Sequence, residues 1–410
     1  MPKKDKYIVG LDIGSTKTCV IVAEPNGEST DAAALNFVAL GAADSKGWRK
    51  GQIVNLDLAI SSIRHAVSEA ENVVGMPLES AIIGVAGGHV KGLNSCGGVT
   101  LGQRPRDIQK EDVRRGIEAA RNIQLGEDRE VLHVLPQEFR LDHQDSIRDA
   151  IGMVGQRLEA NVHIVTASAL ATQNIVTAVN RAGVVVSDTV LESLAAAESC
   201  LTQDERELGA CLLDIGGGTT EFIAYNGGVV RHTGVVPIGG DHFTSDLAVG
   251  LRTPIPEAEK IKRQVAVAWR EMGQQDLAIE IATVGDRPPR TVHGRMLTEI
   301  LEARAQELIT LVFEELRREG LDTLIPAGLV LTGGGSRLRG LPELAENMLS
   351  LQVRIAAPRG LHGATDEILQ PEYSAAIGLV LYGARVRRAP GAKPAGWTGK
   401  LKALFAGQSA

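Results

Sequence analysis

The residues best placed to do chemistry are two aspartates, each followed by a turn of small and hydroxyl residues. Val9-Gly10-Leu11-Asp12-Ile13-Gly14-Ser15-Thr16-Lys17-Thr18 is an apolar run that ends in Asp12 and opens into Gly, Ser and Thr. Roughly two hundred residues later, Cys211-Leu212-Leu213-Asp214-Ile215-Gly216-Gly217-Gly218-Thr219-Thr220-Glu221-Phe222 repeats the pattern. Leu11-Asp12-Ile13-Gly14 returns unchanged as Leu213-Asp214-Ile215-Gly216. Glycine lets the backbone approach a phosphate, and successive N–H groups with Ser and Thr hydroxyls surround the anion. An Asp at the strand end can hold a hydrated magnesium ion through its waters. Lys17 can neutralise phosphate charge. One such turn also serves ordinary structural hairpins; two in one chain point to related halves facing one nucleotide.

A third signature is Ala327-Gly328-Leu329-Val330-Leu331-Thr332-Gly333-Gly334-Gly335-Ser336, a strand running into a triple-glycine loop. Between the loops, Leu191-Glu192-Ser193-Leu194-Ala195-Ala196-Ala197 opens a helix of small residues, and Tyr373 to Gly383 forms another. In this order the elements resemble the actin-like ATPase superfamily, which includes actin, the DnaK-type chaperones and the sugar kinases. That resemblance implies an α/β fold of two duplicated halves around a cleft binding ATP and Mg. It implies phosphate contacts from Gly14, Ser15, Thr16 and Lys17 and from Gly216, Gly217, Gly218, Thr219 and Thr220. Gly333, Gly334, Gly335 and Ser336 correspond to the adenosine loop, and Glu259 with Lys262 to a clamp on ribose and adenine. Asp12, Glu192 and Asp214 form the catalytic set, with Asp12 and Asp214 flanking the metal. Ser193 stands where the family carries Pro. On spacing alone Glu192 reads rather as an exposed helix-start carboxylate favoured by the dipole. Glu259 and Lys262 are equally an i,i+3 pair on a solvated helix. No further base is evident, so at most a slow Mg-dependent ATPase is expected.

The elements that must position these residues follow from the patterning. Tyr7–Leu11 and Thr18–Ala23 read as a hairpin. Leu56–Val74 has helical apolar spacing starting near Asp57. Ser80–Ala86 is a strand, after which the texture changes. A helix near Lys110–Asn122 and strands at Val131–Leu135, Glu138–Leu141 and Val162–Val165 lie in an insertion ahead of a helix at Ala167–Arg181. His133, His143 and His163 fall there without ligand spacing and read as ordinary histidines. Later come a strand over Ala278–Val284 and a long amphipathic helix over Met296–Arg317.

Composition narrows the class. A 44% hydrophobic and 23% charged chain of 410 residues is an ordinary globular protein of two or more domains. A net charge of −7 and pI near 5.8 argue against general nucleic-acid binding. No signal peptide is expected behind the charged start, and no run approaches the roughly 20 apolar residues of a membrane span. Cys19, Cys96, Cys200 and Cys211 lack metal spacing and read as small buried hydrophobes.

The end of the chain departs from this balance. Arg385, Arg387, Arg388, Lys393, Lys400 and Lys402 lie between Arg385 and Ala410, with no Asp or Glu. Pro390, Gly391, Pro394 and Gly396 mark a linker. Trp397, Leu401, Leu404 and Phe405 then share one helical face, with Lys400 and Lys402 off it. That pattern fits a helix lying in a membrane interface; the alternative is a helix docked on the protein's own body.

An actin-like core with such a tail resembles the FtsA family of bacterial division proteins over essentially the whole chain. The family implies an inserted subdomain IC and self-association into filaments. It implies the C-terminal tail of FtsZ as partner on subdomain IIB, where Arg287, Arg290 and Arg295 make a candidate docking edge or, equally, plain solvated surface charge. It also implies other division proteins on the insert and a peripheral place on the cytoplasmic face of the cell membrane at the septum. The corresponding boundaries are 1–83 and 166–205 for subdomain IA, 84–165 for IC, and 206–234 and 313–384 for IIA with the connecting helix. Residues 235–312 form IIB, 385–396 the linker and 397–406 the membrane helix. A small-molecule kinase or a pilus-assembly scaffold would share the loops, and neither would need the tail. A DnaK-type chaperone would need a substrate domain after the core.

Overall fold

The repeated Leu-Asp-Ile-Gly builds the same hairpin twice. Ile8–Ile13 pairs antiparallel with Lys17–Pro25, placing Asp12 opposite Cys19. Ala210–Ile215 pairs in the same way with Thr220–Asn226, placing Asp214 opposite Glu221. In each turn the glycine N–H donates to the carbonyl three residues on, Gly14 to Lys17 and Gly216 to Thr219, both at 2.9 Å. These relationships come from a computed structural model, which describes residues 6–26, 35–49, 51–273, 277–285 and 287–388.

Each hairpin belongs to a mixed sheet. The first runs Val185–Leu191, Ser80–Val85, Ile8–Ile13, Lys17–Pro25, Leu35–Asp44, Leu361–His362. The second runs Val229–Val236, Thr220–Asn226, Ala210–Ile215, Leu329–Thr332, Val353–Ile355. In both, the Asp-bearing strand has its antiparallel partner on one side and a parallel strand on the other. Helices cover the faces, so Ile8–Ile13 is buried along its length and reads as a continuous apolar run. Leu56–Val74 is one cover. The Asn55 side chain caps Leu58 N–H at 3.1 Å, Gly75 ends the helix in the left-handed conformation, and Ile60, Ile63, Ala66 and Val67 are buried.

Two helices, Glu192–Cys200 and Ser374–Arg388, cross between the halves. A Cβ at Gly378 would lie 1.8 Å from the Ala195 carbonyl oxygen, so only glycine permits this approach. The second helix continues to Arg388, which corrects the linker start expected at 385: Arg385, Arg387 and Arg388 are helical. The rest of that linker and Trp397, Lys400, Leu401, Lys402, Leu404 and Phe405 lie outside the described residues.

Between Val85 and Ala169 the chain forms a separate four-stranded antiparallel sheet with Lys110–Arg121 packed on it. Arg129–Leu141 is one strand rather than two. Pro136 lacks an N–H and suggests a break, but it pairs with Val162 at an irregularity in the register, and the strand continues. In the second half, helices Gly240–Leu251, Ile255–Gln264 and Gly294–Arg318 and the hairpin Ala278–Ile281/Arg290–His293 share a core with the second sheet. The first hairpin strand ends at Ile281, short of the expected Val284. All four cysteines are free; three are buried as expected, and Cys96 is exposed. Among the described residues no helix is long and apolar enough to cross a membrane.

Candidate functional site

The two Asp-bearing strand ends and the start of the first crossing helix bring carboxylates together. Asp12 is buried, while Asp214 and Glu192 keep a partly open edge. Glu192 packs on Gly84, where a Cβ would come within 2.6 Å of its carboxylate. Burial pushes Asp12 up to about 6, opposed by the nearby charge of Lys17. Burial and then the charge of Asp12 push Asp214 up to about 7. Glu192 is raised well above the usual carboxylate range by burial and by Asp12, Glu221 and Asp214.

Glu221 is the fourth member, and motif reading passes over it. Its signal is a carboxylate inside the apolar strand Thr220–Asn226, directly opposite Asp214. Burial raises it to about 8. Its Oε1 accepts the Gly87 N–H at 2.6 Å. Its Oε2 has no hydrogen-bond partner among the described residues, although the Ser193 N–H approaches the same carboxylate.

Among the described residues, no three acidic, His or Cys side chains stand together as a direct metal cage. A crowd of buried acids with Lys17 as its neighbouring cation does fit a hydrated divalent ion, held through water and relieving the mutual repulsion.

The two turns meet. A Cβ at Gly217 would lie 2.7 Å from Thr16 Cγ2, so the loops are nearly in contact. Gly14, Ser15, Gly216 and Thr219 are partly exposed at their rims, and Gly218 is buried. The Thr220 hydroxyl is engaged with the Ile238 carbonyl at 2.8 Å, and Ser336 with Gly333 at 2.7 Å; both hold their loops. Gly333 lies against Asp214, so the third loop borders the same acids; Gly335 packs on Ile215 and Gly334 faces Glu372. Lys17 points away from the turn: its Nζ donates to the Glu372 carbonyl at 2.9 Å and stands 3.4 Å from the centre of the Tyr373 ring.

Glu259 and Lys262 are brought into this region by the helix Ile255–Gln264. They pair at 2.6 Å, and Lys262 also donates to Gly240 O and Thr244 Oγ1. Gly240 N–H in turn reaches Gly216 O at 2.9 Å, tying the pair to the second turn. Burial alone would raise Glu259, but hydrogen bonds from Lys262, Thr244 and Arg263 outweigh it and bring it to about 2. The basic edge is differently arranged. Arg290 donates to the Leu251 carbonyl and Arg295 pairs with Glu299 at 2.9 Å, while Arg287 is exposed.

Comparison with known proteins agrees with this architecture. The family model described as "Cell division protein FtsA" matches residues 211–378, and that of the "SHS2 domain inserted in FTSA" matches 87–166. Cell division protein FtsA of Pseudomonas aeruginosa is 45% identical over 378 residues, covering 92% of this chain and 89% of the relative. The Escherichia coli K12 protein of that name is 37% identical, covering 92% and 90%. The Bacillus subtilis one is 38% identical, covering 95% and 86%. Among solved structures, a PilM-PilN type IV pilus biogenesis complex superposes with a TM-score of 0.65 at 17% identity, covering 93% of this chain and 99% of that one. MreB5 of Spiroplasma citri bound to ADP gives 0.58 at 14%, covering 94% and 98%. The fold is that of the actin-like ATPases, and the chain belongs to the FtsA family of cell division proteins.

Proposed function

We propose that this chain is a nucleotide-dependent membrane adaptor of cell division. ATP with magnesium binds between the halves, copies associate into filaments, and the segment Trp397–Phe405 lies in the anionic cytoplasmic surface of the cell membrane at the septum. The C-terminal tail of FtsZ docks on residues 235–312, and other division proteins use the inserted subdomain. The supporting observation is the pair of equivalent turns facing each other, Thr16 against Gly217, over Asp12, Asp214 and Glu192.

In this reading the backbone N–H groups of Ser15–Lys17 and Gly217–Thr219 hold phosphate oxygens, as successive amides in tight turns do, while those of Gly14 and Gly216 close the turns. Bound magnesium would supply charge neutralisation at the phosphates. Asp12 and Asp214 would hold it through water, and Glu192 would accept a hydrogen bond from a water beside it. The carboxylates beside Glu192 are taken up with the metal or, in Glu221, with the Gly87 N–H, so turnover is slow and binding is the main event. Glu259 and Lys262 set the position of Gly240 and through it the second turn. An acidic peptide on the outer subdomain meets Arg287 and competes with Glu299 for Arg295.

The membrane segment works as a conditional anchor. Each large apolar side chain gains at most roughly 1.5–3 kcal/mol on full burial, while ordering the helix costs about 1–2 kcal/mol per residue. One tail therefore binds weakly, and an array of tails gains avidity. The test is co-sedimentation with anionic liposomes of the full chain and of one ending at Arg388, with and without MgATP. Pelleting that needs both the tail and the nucleotide is expected; equal behaviour of the two chains overturns the anchor.

A further inference from the structure

The inserted subdomain is rooted in the first half but seated on the second. It leaves the first sheet after Val85 and re-enters it through Ala169–Ala182. Its strands lie against Val229–Val236 of the second sheet. Gln137 Nε2 donates to Val230 O at 2.9 Å, Asn94 Nδ2 to Arg231 O at 3.3 Å, and His163 Nε2 meets Thr233 Oγ1 at 2.9 Å. Arg148 pairs with Glu207 at 2.5 Å on the rim. The subdomain thus touches both halves.

Its root is Gly87, at φ +107, with the Gly51 backbone pressed on one side and Glu221 on the other. Glu221 belongs to the second half and sits one strand from the interface, on the strand that pairs with Val229–Val236. We infer that Glu221 joins the cleft to the inserted subdomain: the carboxylate opposite Asp214 holds the Gly87 N–H with Oε1, while its buried Oε2 has no hydrogen-bond partner among the described residues. A cation–nucleotide pair in the cleft fixes that second oxygen and so firms the grip on Gly87. With the cleft empty that second oxygen stays without a hydrogen-bond partner, and the root is held less firmly. The inserted subdomain, and whatever docks on it, therefore reads the state of the cleft. This rests on the cleft being a nucleotide site.

The test is hydrogen exchange over residues 86–94 of the full chain, without ligand and with MgATP. Occupancy is checked separately with a fluorescent ATP analogue, at concentrations saturating each variant. In the unmodified chain MgATP slows exchange at the root by roughly tenfold, the protection one charge-assisted hydrogen bond confers. Glu221→Gln keeps an acceptor for Gly87 and the side-chain size but not the charge, so exchange no longer responds to MgATP. Asn94→Ala with Gln137→Ala, outside the cleft, leaves nucleotide affinity unchanged and speeds exchange in 229–236. A loaded cleft with no response in the unmodified chain, or an equal response in Glu221→Gln, overturns the inference. Failure to bind nucleotide at all removes the underlying reading instead, and the occupancy measurement tells the two apart.

Discussion

Glu198 and Arg385 are joined by a 2.6 Å hydrogen bond where the two crossing helices pack, and Arg206 closes on the same carboxylate at 3.7 Å. Burial would raise the Glu198 pKa, but the two guanidinium groups outweigh it and hold it below the usual range. Removing one member of a buried pair leaves charge without compensation, which costs about 3–5 kcal/mol. Glu198→Ala strands two cations and is expected to lower stability by at least about 3 kcal/mol in urea unfolding. Arg385→Ala costs less, because Arg206 still faces the carboxylate. The sign with pH follows from a depressed carboxylate. The contribution is present above the ordinary value of 4.5 and is lost as pH falls through the lower folded value. A Glu198→Ala midpoint equal to the unmodified chain would show the triad to be idle.

The acid cluster makes the opposite pH prediction. Asp12, Asp214 and Glu221 are raised to about 6, 7 and 8, so the folded state favours their neutral forms. Their contribution is therefore lost as pH rises from about 4 to about 8. In the ligand-free protein Asp214→Asn removes part of this penalty and should raise Tm at pH 8 by roughly 1–3 °C. The same change should weaken Mg-dependent nucleotide binding by tenfold or more. Thermal melts in chelator across this pH range, with nucleotide titrations, check both halves. An unchanged melting slope together with unchanged affinity removes Asp214 from the cluster.

The duplicated hairpins are legible in the sequence because Leu11–Gly14 and Leu213–Gly216 are the same four residues, and register then dictates where Asp12 and Asp214 lie. Glu221 is not, because a single residue inside a strand carries no motif; only its pairing with Asp214 gives it meaning. Lys17 reads toward the phosphates because it lies in the turn, yet its long side chain reaches Glu372, distant in sequence. Thr220 and Ser336 have the residue type that binds phosphate, but their hydroxyls satisfy buried carbonyls, a competition that spacing cannot reveal. Arg385 reads as linker because Pro390 and Gly391 follow closely. The pull of Glu198, far back in the chain, keeps it in the helix.

Gly378 tests the crossing itself. A Cβ added there would stand 1.8 Å from the Ala195 carbonyl oxygen, so Gly378→Ala must push the helices apart, and Gly378→Val more so. Overpacking of this kind costs typically about 1–3 kcal/mol. Because the helices join the halves, the expected outcome is a lower Tm together with weaker nucleotide binding. A rise in Tm, from better helix propensity alone, would mean that the crossing adapts.

Lys17 and Tyr373 make the last prediction, in which two neighbouring changes act in opposite directions. Lys17 rests on the Glu372 carbonyl and the Tyr373 ring, a cation–π contact of roughly 0.5–2 kcal/mol. To neutralise a phosphate it must leave that position, so the resting contact opposes nucleotide binding. Tyr373→Ala removes the contact and should tighten MgATP binding by about two- to tenfold. Lys17→Met removes the charge and should weaken binding by tenfold or more, and it lowers the urea midpoint by the loss of the same contact. Titration of both single variants and the double variant separates the effects. If Lys17 is the only route, the double variant binds as poorly as Lys17→Met. Weaker binding by Tyr373→Ala alone would instead place the ring against the nucleotide and reverse the role assigned to it.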